Sequence, residues 1–279
     1  MPVNRKVVLR SHPKGPVSVD NFDIVETDVE SPKAGQVLVR VDHLSIDAFI
    51  RTTLDGGGFH QSAQLGGVVP ALGIGTVVES GDASVAVGDV VTGPMCSQSF
   101  ALLPVAACPP WRTRLPAAGR TIAGGVAKCR FLVDELGFDA AVDYKSGDLA
   151  EQLRAVCPDG VDVFFDNVGG DVLDAVLMNL AVEARVVLCG AVSQYENMAN
   201  VRGPKNYLKI AERDARMLGF TIFHYPQRYE EATATMAEWL RSGKIVVREH
   251  VEVGLERFPH AVRGLLDGGN TGKFLLRLD

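Results

Sequence analysis

The chain has 279 residues, 47% hydrophobic and 22% charged, close to the averages for soluble globular proteins and long enough for two domains. A net charge of −6 and the lack of any Lys/Arg run exclude nucleic acid as the main partner. No uninterrupted apolar span reaches membrane length, and MPVNRKVVLRSHPKG carries basic residues without the apolar stretch of a secretory signal. The five cysteines (Cys96, Cys108, Cys129, Cys157, Cys189) are odd in number and never in Cys-x-x-Cys spacing, which points to reduced thiols and the cytoplasm.

From Lys6 to about Ala107 the pattern is that of strands. KVVLR, GQVLVRV, GIGTVVES and VAVGDVVTG are short Val- and Ile-rich runs, with Gly35, Gly73, Gly75 and Gly88 read as turns between them. This predicts a compact, largely antiparallel β-domain. From about Thr121 helices and strands alternate. VAKCRFLVDEL reads as a helix closed by Gly137, and AAVD as a short strand. Ser146 is the expected N-cap of DLAEQLRAVC, whose Leu149, Leu153 and Val156 share a face. Then follow the strand VDVFFD, a helix with Val172, Leu173, Val176, Leu177 and Leu180 on one stripe, and the strand RVVLCG. Such alternation predicts right-handed βαβ units and a parallel sheet. After a loop rich in Asn, Gly and Pro, MLGFTIF reads as a strand, RYEEATATMAEWLRSG as a helix ended by Gly243, and the terminal FLLRL as a strand.

The stretch VDVFFDNVGGDVLDAVL, Val161 to Leu177, has the form by which α/β proteins set a nucleotide at the carboxyl end of a strand. The Gly-x-Gly-x-x-Gly turn that normally accompanies it occurs nowhere in the chain.

GQVLVRVDHLSIDAFIR and GIGTVVESGDASVAVGDVVTG resemble the catalytic domain of the medium-chain dehydrogenases/reductases. GGVAKCRFLVDELGFDAAVDYK, FDNVGGDVLDAVL, VLCGAVSQYE and NTGKFLLRL narrow the resemblance to the zinc-free branch. That branch includes the prostaglandin reductases (leukotriene B4 12-hydroxydehydrogenases) and alkenal double-bond reductases. The resemblance implies an α/β protein made of a GroES-like β-barrel domain, residues 1–112 and 244–279, and a Rossmann-type NADP-binding domain, residues 113–243. It implies NADPH-dependent reduction of the C=C bond of a small enone or alkenal, with homodimers as the family's habit. Zinc is set aside on the residues, since His43, His60 and Cys96 lack the spacing of a ligand set.

IAGGVAKC, where an NAD enzyme would place an acid for the ribose hydroxyl, carries Lys128 instead, which suits a 2′-phosphate. Lys128 also fits as a plain helix lysine; the resemblance implies that it and Tyr144 hold the phosphate. It further implies that Asn167, with Gly169 and Gly170, lies near the nicotinamide ribose, although Asn-x-Gly-Gly is also an ordinary strand-to-helix turn. Cys189 and Gly190 form the other wall, Cys189 as a small core residue. Phe220 and Phe223 resemble the segment beside the nicotinamide, Asn270 the residue closing the site from the tail, and Tyr195 a lesser contact. No catalytic residue is assigned, and Val247 stands where the family has tyrosine.

CPPWRTRLPAAGRT, Cys108 to Thr121, is all that stands where the family's first strand, Gly-rich turn and helix belong. A βαβ unit takes about 30 residues, so the expectation is an internal deletion and a truncated sheet lacking its first strand-turn-helix. Arg112, Arg114 or Arg120 are read as point charges that compensate only in part for the absent pyrophosphate turn. Two alternatives stand beside the reductase: a non-enzymatic relative that binds an apolar ligand or partner, and a shortened gene product.

Overall fold

The computed structural model describes residues 2–55, 62–107 and 120–278. In chain order the first elements are β1 (Val3–Leu9), β2 (Phe22–Asp28), β3 (Gln36–Ser45), α1 (Phe49–Thr53), β4 (Leu72–Ser80), β5 (Val90–Gly93) and β6 (Phe100–Pro104). Then come β7 (Arg120–Ala123), α2 (Val126–Arg130), β8 (Ala140–Asp143), α3 (Leu149–Val156), β9 (Val161–Asp166), α4 (Gly170–Leu177) and β10 (Leu180–Leu188). The last are α5 (Leu208–Glu212), β11 (Arg216–Gly219), α6 (Tyr229–Arg241), β12 (Glu249–Val253), α7 (Phe258–Leu266) and β13 (Lys273–Arg277). Two compact units result, one of residues 1–113, 229–237 and 247–279, the other of 114–228 and 238–246.

The first unit is β-rich. β1 and β2 pair antiparallel, and a six-stranded sheet runs β12-β13-β3-β4-β5 with β6 also on β3. Every pairing in it is antiparallel except β12 with β13. The core gathers Val37, Val39, Val41, Leu44, Phe258 and Leu276, each at most 2% exposed. The tail therefore contributes two strands and α7, of which only the last strand is legible in the sequence. Gly73 and Gly75 lie inside β4, not in turns as expected. A Cβ on Gly75 would stand 2.2 Å from the Arg40 carbonyl oxygen, so close strand approach, not chain reversal, requires glycine there.

In the second unit all strand pairs are parallel: β7 with β8, and β11-β10-β9 in that order. Val142 of β8, Leu153 of α3, Leu173, Val176 and Leu177 of α4, and Val186 of β10 share one core, so α3 and α4 tie the two sheets together. Among the described residues nothing pairs with the outer edge of β7 or of β9. This is the α/β fold of the sequence reading, with its parallel strands in two sheets among the described residues.

Several local expectations change. The N-cap of α3 is Asp148, whose carboxylate accepts from the Ala150 and Glu151 N–H groups at 2.8 and 3.1 Å; Ser146, two residues earlier, only bonds back to the Asp143 carbonyl. Leu180 opens β10 instead of closing the stripe of α4, and β10 starts five residues before the expected Arg185. The helix over VAKCRFLVDEL is α-helical only to Arg130 and continues over Phe131–Glu135 as a wider π turn. Strand β11 ends at Gly219, and Ile222–His224 is a 3-10 turn. Residues 108–119, with Arg112 and Arg114, and His60 lie outside the described residues; Arg120 begins β7 and is exposed.

Candidate functional site

Two groups of sequence-predicted residues collect at the carboxyl ends of the second unit's strands. The first surrounds β7 and β8. Asp143, the last residue of β8, accepts on Oδ1 from the Gly125 N–H at 2.7 Å and the Lys145 N–H at 2.9 Å. These backbone donors, Gly125 first, hold its carboxyl below the usual carboxylate range. The Tyr144 N–H donates to the Ala123 carbonyl at 3.1 Å, so the loops after both strands are tied to each other. Gly125 sits at φ +98°, and a Cβ on Gly124 would meet Lys145 Cε and the Tyr144 hydroxyl at 2.9 Å. The glycine pair thus brings Tyr144 and Lys145 down onto the start of α2.

Lys128 completes this group. Its pKa is lowered, first by burial and then by the positive charge of Lys145. Two ammonium groups near enough to repel, with a phenol between glycine and lysine, form a place that favours a multiply charged anion. Lys145 was not singled out in the sequence; its signal was adjacency to Tyr144 in the loop that follows β8.

The second group lies after β9, β10 and β11. Asp166 ends β9 fully buried, and its Oδ1 accepts from the Val168 and Gly169 N–H groups at 2.8 and 2.9 Å. Its Oδ2 is buried with no donor among the described residues. The Asp166 carbonyl accepts from Cys189 and Gly190, and the carbonyls of Asn167 and Val168 accept from Val192 and Ser193. The DNVGG and CGAVS loops are therefore laced together by backbone bonds. Gly169, at φ +68°, and Gly190 are small by necessity: a Cβ would stand 2.8 Å from the Ala191 Cβ and from the Tyr195 hydroxyl respectively. That hydroxyl accepts from the Ala191 N–H at 3.2 Å, which makes Tyr195 a support of the loop. Asn167 is left exposed on the rim.

Phe220 follows β11, packs edge-on against Phe165 at 5.9 Å and stacks on Tyr225 at 5.5 Å. Phe223 is 60% exposed. Burial raises the Cys189 pKa, so it remains a thiol and not a nucleophile. Asn270 belongs to the first unit, where its amide donates to the Gly272 carbonyl at 2.7 Å within a turn. Val247 is about half exposed. Among the described residues no group of three His, Cys, Asp or Glu side chains is arranged to hold a metal, and no helix is long and apolar enough to cross a membrane.

The residues present fit a phosphorylated ribose at Lys128, Tyr144 and Lys145. Among the described residues none forms a cradle for the bridging pyrophosphate. The α2 start is only five α-helical residues long, and the start of α4 is covered by the CGAVS loop, with Ser193 Oγ 2.8 Å from a Cβ on Gly170.

Known proteins similar to this chain identify its family. A family model described as the N-terminal domain of oxidoreductase matches residues 5–108, and one described as zinc-binding dehydrogenase matches residues 136–276. The chain is 32% identical to the NADPH-dependent curcumin reductase of Escherichia coli, covering 99% of this chain and 97% of that protein. It is 28% identical to the NADP(+)-dependent 2-alkenal reductase of Nicotiana tabacum, covering 97% of this chain and 96% of that one. The crystal structure of CurA in complex with NADPH from Vibrio vulnificus superimposes with a TM-score of 0.86 at 30% identity, covering 99% of each chain. The E. coli alignment runs over 334 positions, 55 more than the 279 residues of this chain, so at least 55 positions there have no counterpart here. The chain belongs to the medium-chain dehydrogenases/reductases, in the zinc-free branch of alkenal and enone double-bond reductases.

Proposed function

We propose that the chain descends from, and retains the site remnants of, an NADPH-dependent reductase of the C=C bond of small α,β-unsaturated carbonyls. The observation that carries the reading is Tyr144 and Lys145 folded onto the Gly124–Gly125 turn that opens α2, the helix of Lys128, on a chain 32% identical to a curcumin reductase over 97% of that protein's length. Lys128, Tyr144 and Lys145 hold the 2′-phosphate, which an NAD-type carboxylate would repel. Asn167 and Gly169 face the nicotinamide ribose, the backbone at Cys189 and Gly190 forms the opposite wall, and Phe220 and Phe223 flank the ring.

When bound, NADPH supplies the hydride for the β-carbon of the enone. The protein supplies position, exclusion of water and a field for the carbonyl oxygen as charge moves onto it. The α-carbon takes its proton from solvent, because Val247 carries no exchangeable proton. The apolar Phe220, Phe223 and Tyr225 cluster suits the hydrocarbon body of an enone. The family's dimer and a reducing, cytoplasmic setting complete the reading, the latter supported by four intermediate-burial cysteines that form no disulfide among the described residues.

One observation favours a second reading, a relative that has lost turnover. The lacking cradle removes charge-assisted contacts of about 1.5–3 kcal/mol each, and two such losses weaken binding by roughly 10²–10⁴-fold. Titration with NADPH in a thermal-shift assay, followed by NADPH oxidation with a simple enone, decides between them. The reductase reading expects a concentration-dependent rise in melting temperature and slow oxidation that needs the enone. A melting temperature unmoved up to millimolar NADPH, with no oxidation, leaves the second.

A further inference from the structure

Two like charges stand side by side on one face of the second unit's three-stranded sheet. Val163 of β9, Arg185 of β10 and Arg216 of β11 are in register on parallel strands, so the two arginines are direct neighbours, and both are exposed. Adjacent strands lie about 4.8 Å apart, a spacing at which paired guanidiniums repel. Glu183 and Asp214, each two residues before an arginine, form no ion pair with it, and among the described residues neither arginine has a charged partner. The internal segments outside the described residues, 56–61 and 108–119, contain no Asp or Glu to neutralise them.

The next row on this face is apolar. Phe165, Val187 and Leu218 are in register two residues further along, about 6.6 Å away. Phe165 is 53% and Leu218 50% exposed. Beyond them Phe220, edge-on to Phe165 and stacked on Tyr225, forms an aromatic wall at the end of the face. The alternate residues Phe164, Val186 and Met217 pack in the core shared with α3 and α4, which fixes the strands from behind. A ligand that satisfies both rows carries an anion at one end and hydrocarbon at the other. Two guanidiniums match a phosphomonoester, close to dianionic at neutral pH, better than they match a singly charged carboxylate.

We infer that Arg185 and Arg216 together bind the phosphate of a soluble phosphomonoester of an apolar alcohol, an alkyl or prenyl phosphate, whose chain lies over Val187 between Phe165 and Leu218. Three strands, about 10 Å across, seat one such chain and not a bilayer surface. The site is distinct from the Lys128, Tyr144 and Lys145 group, which belongs to β8 and α2. It does not rest on the reductase reading, so its test uses no cofactor.

The test is calorimetric titration of the full chain with decyl phosphate, inorganic phosphate and decanoate. Decyl phosphate should occupy one site per chain, at least tenfold more tightly than either of the others, and more weakly as salt rises. Arg185→Gln and Arg216→Gln should each weaken it about tenfold or more, the loss of one charge-assisted contact. Each also relieves the like-charge pair, so the melting temperature of the free chain should stay level or rise, which a merely structural arginine would not give. Leu218→Ser should weaken decyl phosphate and leave inorganic phosphate unaffected. Arg154→Gln, exposed on α3, and Lys128→Ala should leave decyl phosphate binding intact. Decyl phosphate bound no better than inorganic phosphate or decanoate, or bound equally by the folded arginine variants, would overturn the inference. So would its loss in Lys128→Ala, which would put the ligand at the nucleotide end. Sedimentation with vesicles of phosphatidate in phosphatidylcholine, without binding of soluble decyl phosphate, would overturn it in favour of a lipid surface.

Discussion

Burial, and after it the charge of Lys145, lowers the Lys128 pKa, which makes the titration of Lys128 informative. The folded-state pKa of Lys128 lies below the ordinary lysine value, so between the two values the unfolded chain binds more protons than the folded one. Stability therefore rises with pH across that window. Lys145→Ala removes the second cause of the shift and should flatten that rise in pH-dependent melting curves; an unaltered slope would place the two ammoniums apart. A bound phosphate reverses the preference, so NADPH affinity should fall as pH climbs through the Lys128 value. Lys128→Ala should cost about tenfold or more in the preference for NADPH over NADH, roughly one charge-assisted contact, measured by competitive binding. Lys128 was legible because an NAD enzyme needs an acid where it stands. Lys145 was not, because nothing in a single sequence says that Gly124 lets the loop after β8 fold against it. Asp143 was missed for the same reason: besides the N–H of Lys145 in its own loop, it accepts the N–H of Gly125 from the loop after β7.

At the scale of elements, caps and close approaches separate what pattern reveals from what it hides. The strands VDVFFD and AAVD and the helix ended by Gly243 follow from β-branched runs and the positive φ of the glycine, +71° at Gly243. The cap of α3 was misplaced because Ser146 and Asp148 are both good caps, and only backbone geometry chooses between them. Asp148→Ala should destabilise by about 1 kcal/mol and Ser146→Ala by far less, read from urea midpoints at constant slope. Gly75→Ala places a methyl against the Arg40 carbonyl and should cost about 1–3 kcal/mol, whereas the same change in an open turn would not meet a strand. β12 and α7 escaped the sequence reading since EHVEV alternates with charged residues at an edge strand, and FPHAVRGLL begins with Pro259 just inside the helix start.

At the scale of the molecule, the α/β class and the parallel sheet were legible, and among the described residues no strand joins β7 to β9. A parallel sheet needs central strands of unbroken apolar character, and the chain offers no candidate between Ala107 and Thr121. What the sequence could not show is how the parts are held: α3 and α4 hold two sheet fragments on one core, while Val163, Phe165 and Leu218 on the opposite face are half exposed. The grip on the cofactor is expected to be local, confined to one end of the dinucleotide.

Calorimetric titration with 2′-AMP beside NADPH tests that point directly. If the phosphorylated ribose supplies nearly all of the binding, the two ligands should agree within about tenfold, and Lys128→Ala should weaken both alike. NADPH binding a hundredfold or more tighter than 2′-AMP would show that this chain cradles the pyrophosphate after all, and the account of a surviving half-site would be wrong.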